Sequence, residues 1–424
     1  MVRRPSARRR AVFGVFFAAI LCGTTLIGIE ALASFFAPAW PARELRWMAP
    51  VNPIVATREP YASRPWMAEP FNAWGMRDKD RSLAKDPAYR ARAVMIGDSF
   101  VEASFARQSL SASVEPLLDG VEAVNLGISA TDLPGYYYRL RDVGLALSPD
   151  VVLLFVYAGN DFVLAGEAFG RSGVPPLIGE SEGASLLGAA MPRTRWLVRN
   201  RWPALAALWQ RPPPPDEEAR LWQIAQQPRA IAIDQLSRHV KTYHKPHLPV
   251  QVIEEVLARG NDRFWRDLAD QSAEPEFLLG WTLDSLLVWE TGTFPVPATV
   301  AQARAVTPDA AIDATLSWIL AIERLATSRG VRVKTFIVPV ASVDPEYNEF
   351  WQPWPRSHAW NHICEDREER LVSRAQEAGM HLVRLREDLQ GERGTYRKRD
   401  GHWTEKGQAI VARRVAREVH SLGF

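Results

Sequence analysis

The chain has 424 residues, of which 47% are hydrophobic and 24% charged, so it can bury a large core. Its formal net charge of +2 falls to −3 once Arg3, Arg4, Arg8, Arg9 and Arg10 are set aside, which argues against a nucleic-acid partner. Of the two cysteines, Cys22 lies in an apolar N-terminal run and only Cys364 lies outside it, so no intramolecular disulfide is expected.

Ala11 to Ile29 carry no charge, and Glu30 ends the run. As a helix this stretch spans roughly 28 Å, close to the hydrocarbon core of a bilayer. The preceding arginines predict a cytoplasmic tail over residues 1–10, a transmembrane anchor over 11–33 and an exported remainder. Ala31-Leu32-Ala33 offers the alternative of a cleaved signal peptide, but the run is longer than the usual signal core, which favours a retained anchor. Leu21 before Cys22 does not suit lipoprotein processing. Residues 34–90, rich in Pro and Trp and without a sustained period, read as an extended membrane-proximal segment.

From residue 91 the pattern alternates. Val94–Gly97 is predicted as a strand, Ser111–Leu118 as a helix, Val121–Leu126 as a strand and Tyr136–Leu147 as a helix. Val151–Tyr157 (VVLLFVY) is continuously apolar, as a strand buried on both faces should be. Residues 166–305 break the alternation and read as a largely helical insertion, either a lid or a partner surface. A stiff Pro212–Pro215 spacer lies within it, with helical stretches near Asp216–Gln226 and Phe264–Ala269. The alternation resumes with a helix at Ala310–Thr327, a strand at Val331–Val338, a helix at Arg367–Ala378 and a short strand at His381–Leu385. A last helix, Thr404–Ser421, carries Ile410, Val411, Val415 and Val419 on one face. About five strands separated by helices imply a three-layer α/β/α, doubly wound parallel sheet, built from residues 91–165 and 306–424.

Parallel sheets hold ligands at the carboxyl ends of their strands. Gly97-Asp98-Ser99 stands at the end of the first. A serine hydroxyl there becomes a nucleophile only if a base takes its proton. His402 is the candidate base, and Asp400 the group that fixes its tautomer. The segment lacks the second glycine of a G-x-S-x-G elbow, which argues against an α/β-hydrolase. Gly127 and Asn160 end the next two strands. With the Ser99 N–H they are the candidate donors of an oxyanion hole.

Ser99 in GDSF, Gly127 in VNLGIS, Asn160 in GND and His402 in DGHW form an ordered set that resembles the SGNH (GDSL-type) hydrolase family. GDSFVEA, NLGIS and PDVVLLFVYAGND look particularly like bacterial membrane-anchored members, as does Asn72–Asp78 before the serine block. The resemblance covers about residues 70–165 and 310–424. It implies a flavodoxin-like sheet and a serine esterase that works through an acyl-Ser99 intermediate, with no metal or organic cofactor. Two positions depart from the pattern. Arg399 stands where many members carry the acid, whereas Asp400 sits two residues before the histidine, as in alginate-type O-acetyltransferases; Ala103 stands where glycine is common.

Asp98, Trp351, Trp354 and Trp403 are the substrate-binding candidates, since Trp faces suit sugar rings and acyl chains. His239, His244 and His247 match no tight zinc spacing and read as an exposed loop; His358 and His362, near Cys364 and Asp366, read as loop polarity. The expectation is a membrane-anchored, extracytoplasmic esterase at the bacterial inner membrane. It would remove acyl or acetyl groups from an envelope glycan or lipid, with polysaccharide-assembly proteins as partners. The alternatives are a polysaccharide O-acetyltransferase using the same site, or an inactive glycan-binding or assembly protein.

Overall fold

Continuously apolar strands need both faces covered, and the sheet of this protein meets that need. In the computed structural model five parallel strands run in the order β2-β1-β3-β4-β5: β1 Ala91–Ile96, β2 Val121–Asn125, β3 Val151–Tyr157, β4 Arg332–Val338 and β5 Val383–Arg384. The structure describes residues 17, 21–29, 31–32, 71–72, 75–103, 106–129, 131–162, 216–270, 279–292, 301–302, 305 and 307–424. The chain divides into two units. One holds Met1–Arg46 with Leu177–Arg211, and the other Trp47–Pro176 with Pro212–Phe424.

In the first unit, residues 17, 21–29 and 31–32 are helical. The rest of the expected anchor, the arginine tail and the Pro212–Pro215 spacer lie outside the described residues, as do most of the membrane-proximal segment and the first part of the insertion. Among the described residues no helix is long and apolar enough to cross a membrane.

In the second unit, successive strand residues point to opposite faces. Ala93, Met95, Leu153 and Phe155 pack with Leu110 and Val114 of α2 (Leu110–Val114) and with Val411, Val415 and Val419 of the last helix (Glu405–Ser421). The alternate residues Val94, Ile96, Leu154 and Val156 are equally buried, beneath α3 (Leu133–Asp142) and the helix Asp309–Thr327. Residues 217–290 form a helical body: α4 Glu217–Ala225, α5 Arg229–Tyr243, α6 Val250–Ala258, α7 Asp262–Ala269 and α8 Leu279–Glu290. Its core includes Leu221, Leu236, Ile253, Phe264, Leu283 and Leu287, closed by Phe350, Trp351 and Trp354. Those aromatics come from the segment after β4, so the helical body is fastened directly to the strand-end edge of the sheet unit.

Candidate active site

Ser99 is the first residue of α1 (Ser99–Glu102), a single turn separated from β1 by Gly97 and Asp98. Asp98 caps this turn, its Oδ1 accepting from the Phe100 N–H at 2.9 Å. Because β2 lies on one side of β1 and β3 on the other, the β1 end is the topological switch point of the sheet, where a ligand crevice opens.

The loop between β5 and the last helix brings the base. Backbone bonds close it: the Arg397 N–H donates to His402 O at 2.8 Å, and the Gly401 N–H to Arg397 O at 2.8 Å. Gly401 adopts a φ of +83°, a left-handed turn that sets Asp400 and His402 on the same side. His402 Nε2 lies 2.7 Å from Ser99 Oγ, and the Asp400 carboxylate accepts from His402 Nδ1. Burial disfavours the imidazolium, but Asp400 and, less strongly, Asp98 outweigh it and raise the His402 pKa.

Asp98 is itself buried, its Oδ2 meeting no partner, and desolvation pushes its carboxyl up to about 6. Asp161 follows β3 and is fully buried; it accepts from Tyr136 Oη at 2.8 Å and from the Tyr157 N–H at 2.7 Å. Desolvation and the nearby Asp98 charge hold the Asp161 carboxyl well above the usual range. Asp98 is thus a capping and electrostatic group, and its carboxylate does not face solvent as a substrate-binding residue would.

Gly127 does not take the position expected of an oxyanion donor. Its N–H donates to Asn125 Oδ1 at 2.7 Å, while the N–H groups of Leu126, Ile128 and Ser129 go to Met95 O, Gly97 O and Glu102 Oε2. The glycine serves close packing instead, because a Cβ there would lie 2.3 Å from Glu102 N. Asn160 is exposed at the end of β3 and its side chain meets no partner among the described residues. The Ser99 N–H, at the helix start, lacks an intrahelical acceptor. These two donors remain for an oxyanion.

Trp351 and Trp354 are also not where a substrate would meet them. Trp351 is 4% exposed and Trp354 fully buried, their indole N–H groups donating to Lys398 O at 2.7 Å and Val256 O at 3.0 Å. Trp403 is buried edge-on to Phe100, with centroids 4.8 Å apart. It helps line a cavity of about 10 Å³ beside Ser99 and His402, with Ala103, Ala106 and Gln408. Such a space fits about one water-sized group.

Several residues that shape the site had no role assigned from the sequence. Arg77, fully buried, donates to Ala103 O and to Ala106 O at 2.6 Å, fixing the chain just after α1. Arg139 on α3, also fully buried, holds Gly97 O at 2.9 Å and Leu126 O. Ala103 takes a φ of 52°, which explains physically why glycine suits that position. Arg399 donates to the carbonyls of Asp267 at 2.9 Å and Asp270 at 2.8 Å, at the C-terminal end of α7. Its guanidinium carbon sits 4.6 Å from the centre of the Trp222 ring on α4. The helical body therefore grips the loop that carries the candidate base.

The expected histidine loop is different as well. His239 lies on α5 and is buried, and His244 caps that helix; only His247 is exposed. His362 lies on the helix Pro355–Glu377 and pairs with Glu365 at 3.3 Å. Cys364 is buried there, and desolvation raises its thiol to about 12.

No protein-family model matches the chain, and no curated protein is similar to it. Among solved structures, one from Bacteroides fragilis, named a "putative acylhydrolase", matches 86% of this chain and 94% of its own at 11% identity, with a TM-score of 0.33. A likeness that loose assigns neither fold nor activity.

Proposed function

We propose that this chain is a serine acyl hydrolase of SGNH type, with Ser99 as nucleophile, His402 as general base and Asp400 as the residue orienting that base. The observation that carries the reading is the 2.7 Å approach of His402 Nε2 to Ser99 Oγ with Asp400 behind the ring. Ser99 Oγ attacks the ester carbonyl while His402 takes its proton. The oxyanion rests on the Ser99 N–H and the Asn160 amide. Collapse breaks the ester C–O bond, and His402 returns the proton to the leaving alcohol. Water, deprotonated by His402, then releases the acid from acyl-Ser99.

The uncharged run Ala11–Ile29 behind five arginines supports an anchored, extracytoplasmic enzyme at a bacterial inner membrane, which favours an O-acylated envelope glycan or lipid as substrate. The spacing of Asp400 to His402 favours a second reading, in which a sugar hydroxyl replaces water and the protein transfers acetyl groups. Hydrolysis of p-nitrophenyl acetate by wild type and Ser99→Ala tests the shared first step. Acetate release followed with and without a glycan acceptor separates the two outcomes: a rate indifferent to acceptor, with no acetylated glycan formed, identifies the hydrolase.

A further inference from the structure

A buried carboxylate needs a compensating charge or hydrogen bonds. Glu217, the first residue of α4, is only 14% exposed in its side chain, and among the described residues no lysine or arginine is ion-paired with it. Its Oε1 instead faces His239 Nε2 at 2.6 Å and His244 Nε2 at 2.7 Å. The two histidines come from α5 and its C-terminal cap, and their ring centres lie 6.0 Å apart. One oxygen and two imidazole nitrogens thus converge within 4.8 Å of one another.

We propose that Glu217, His239 and His244 form a zinc-type divalent metal site that locks α4 to the end of α5. Two imidazoles and one carboxylate are a ligand set that Zn²⁺ takes readily, whereas Ca²⁺ and Mg²⁺ prefer all-oxygen cages. Ligand atoms around a tetrahedral zinc stand roughly 3.3 Å apart, given bonds of about 2.0–2.1 Å. The Glu217 oxygen, now 2.6 and 2.7 Å from the two ring nitrogens, needs to move off each by about 0.6–0.7 Å, and the nitrogens, within 4.8 Å of each other, need to settle at the same spacing to admit the ion. The inner wall is closed, His239 being 4% exposed, and the outer edge is open at His244, 22% exposed, which leaves room for a water as the fourth ligand. Glu218 adds negative charge beside the site while its own oxygens accept from the Leu279 and Gly280 N–H groups, which ties α8 to the same corner. The ion would supply structure rather than chemistry. α4 also carries Trp222, against which Arg399 rests, so fixing α4 steadies the surface that grips the His402 loop.

The test uses the untagged full-length chain, stripped with a chelator and titrated with Zn²⁺ against a chromophoric competitor, with metal content measured by mass spectrometry. The expected result is one tight equivalent in wild type and in His244→Cys, lost in Glu217→Gln and His244→Gln. X-ray absorption on zinc-loaded His244→Cys should add one sulfur at about 2.3 Å to the nitrogen and oxygen shell. That spectrum keeps the test decisive even if the glutamine variants misfold. A wild type with no tight equivalent, an equivalent kept in both glutamine variants, or a His244→Cys spectrum without sulfur overturns the site and leaves a hydrogen-bonded trio.

Discussion

Arg399, three residues before His402, donates to the Asp270 carbonyl at 2.8 Å and so joins the loop of the candidate base to the helical body. A guanidinium at the C-terminal end of α7 meets the carbonyls of the helix end, of which Asp267 O also accepts from the Asp270 N–H at 3.4 Å, and the negative end of the helix dipole. Lys398, beside it, is held through its carbonyl by the Trp351 N–H and through its ammonium by Asp267 at 3.1 Å. Arg399→Met keeps the side-chain length but removes these donors. It should lower kcat for ester cleavage about 10- to 100-fold with KM little changed, because a small displacement of a catalytic group is costly. Arg399→Lys should recover part of the loss. Steady-state kinetics at a temperature where both variants are folded checks this, and a wild-type kcat in Arg399→Met would remove the loop-gripping role.

The pH dependence follows from the His402 environment. Its pKa is raised, since Asp400 and Asp98 outweigh burial, so the neutral base form appears only above the ordinary histidine value of about 6.5. The acid limb of kcat/KM should therefore fall above that value. Asp400→Asn should move the limb down and lower the rate, having removed the main support of the imidazolium. Asp98→Asn keeps a side-chain acceptor for the Phe100 N–H and should move the limb down by less. Because Asp98 itself ionises at about 6, the wild-type limb belongs to both groups together. A limb that stays in place in both variants contradicts this electrostatic account.

In the proposed mechanism Asn160 supplies the side-chain donor for the oxyanion. Asn160→Ala should lower kcat about 100- to 1000-fold while leaving stability nearly unchanged, since the residue is exposed. Parallel kinetics and thermal melts check both halves of that statement.

Gly127→Ala should act in the opposite way. Its Cβ would meet the backbone at Glu102 N, at 2.3 Å, and Val101 C, at 2.7 Å, neither of which can move without displacing α1. A loss of about 1–3 kcal/mol is expected from such overpacking, read as a lower urea midpoint with an unchanged m-value. Wild-type stability would show that the close approach between this turn and α1 is not real.

The sheet and the Ser99–His402–Asp400 set were legible in the sequence because each has a strong local signal. AVMI and VVLLFVY are runs that a doubly covered strand explains, the GDS segment lies where such a strand ends, and the DGH segment lies just before the last helix. Gly127 was misread because a glycine at a strand end suits an open N–H and a close backbone approach equally well; only the position of its absent Cβ distinguishes them. Trp351 and Trp354 were misread because a loop after a strand can face the crevice or a second core, and Phe264 and Phe350 supply that core here. Much of the insertion was not legible as individual helices. α8 (LGWTLDSLLVWE) is apolar nearly all round, and the buried stripe of α5 includes His239. Glu217 lies 22 residues before His239, and their meeting depends on a chain reversal that no spacing rule anticipates.

The most direct test of the central claim is covalent labelling with a fluorophosphonate, located by peptide mass spectrometry. The serine-nucleophile account predicts one adduct per chain, on Ser99, that disappears in Ser99→Ala and forms far more slowly in His402→Ala. An unlabelled wild type, or an adduct that persists in Ser99→Ala, would contradict it.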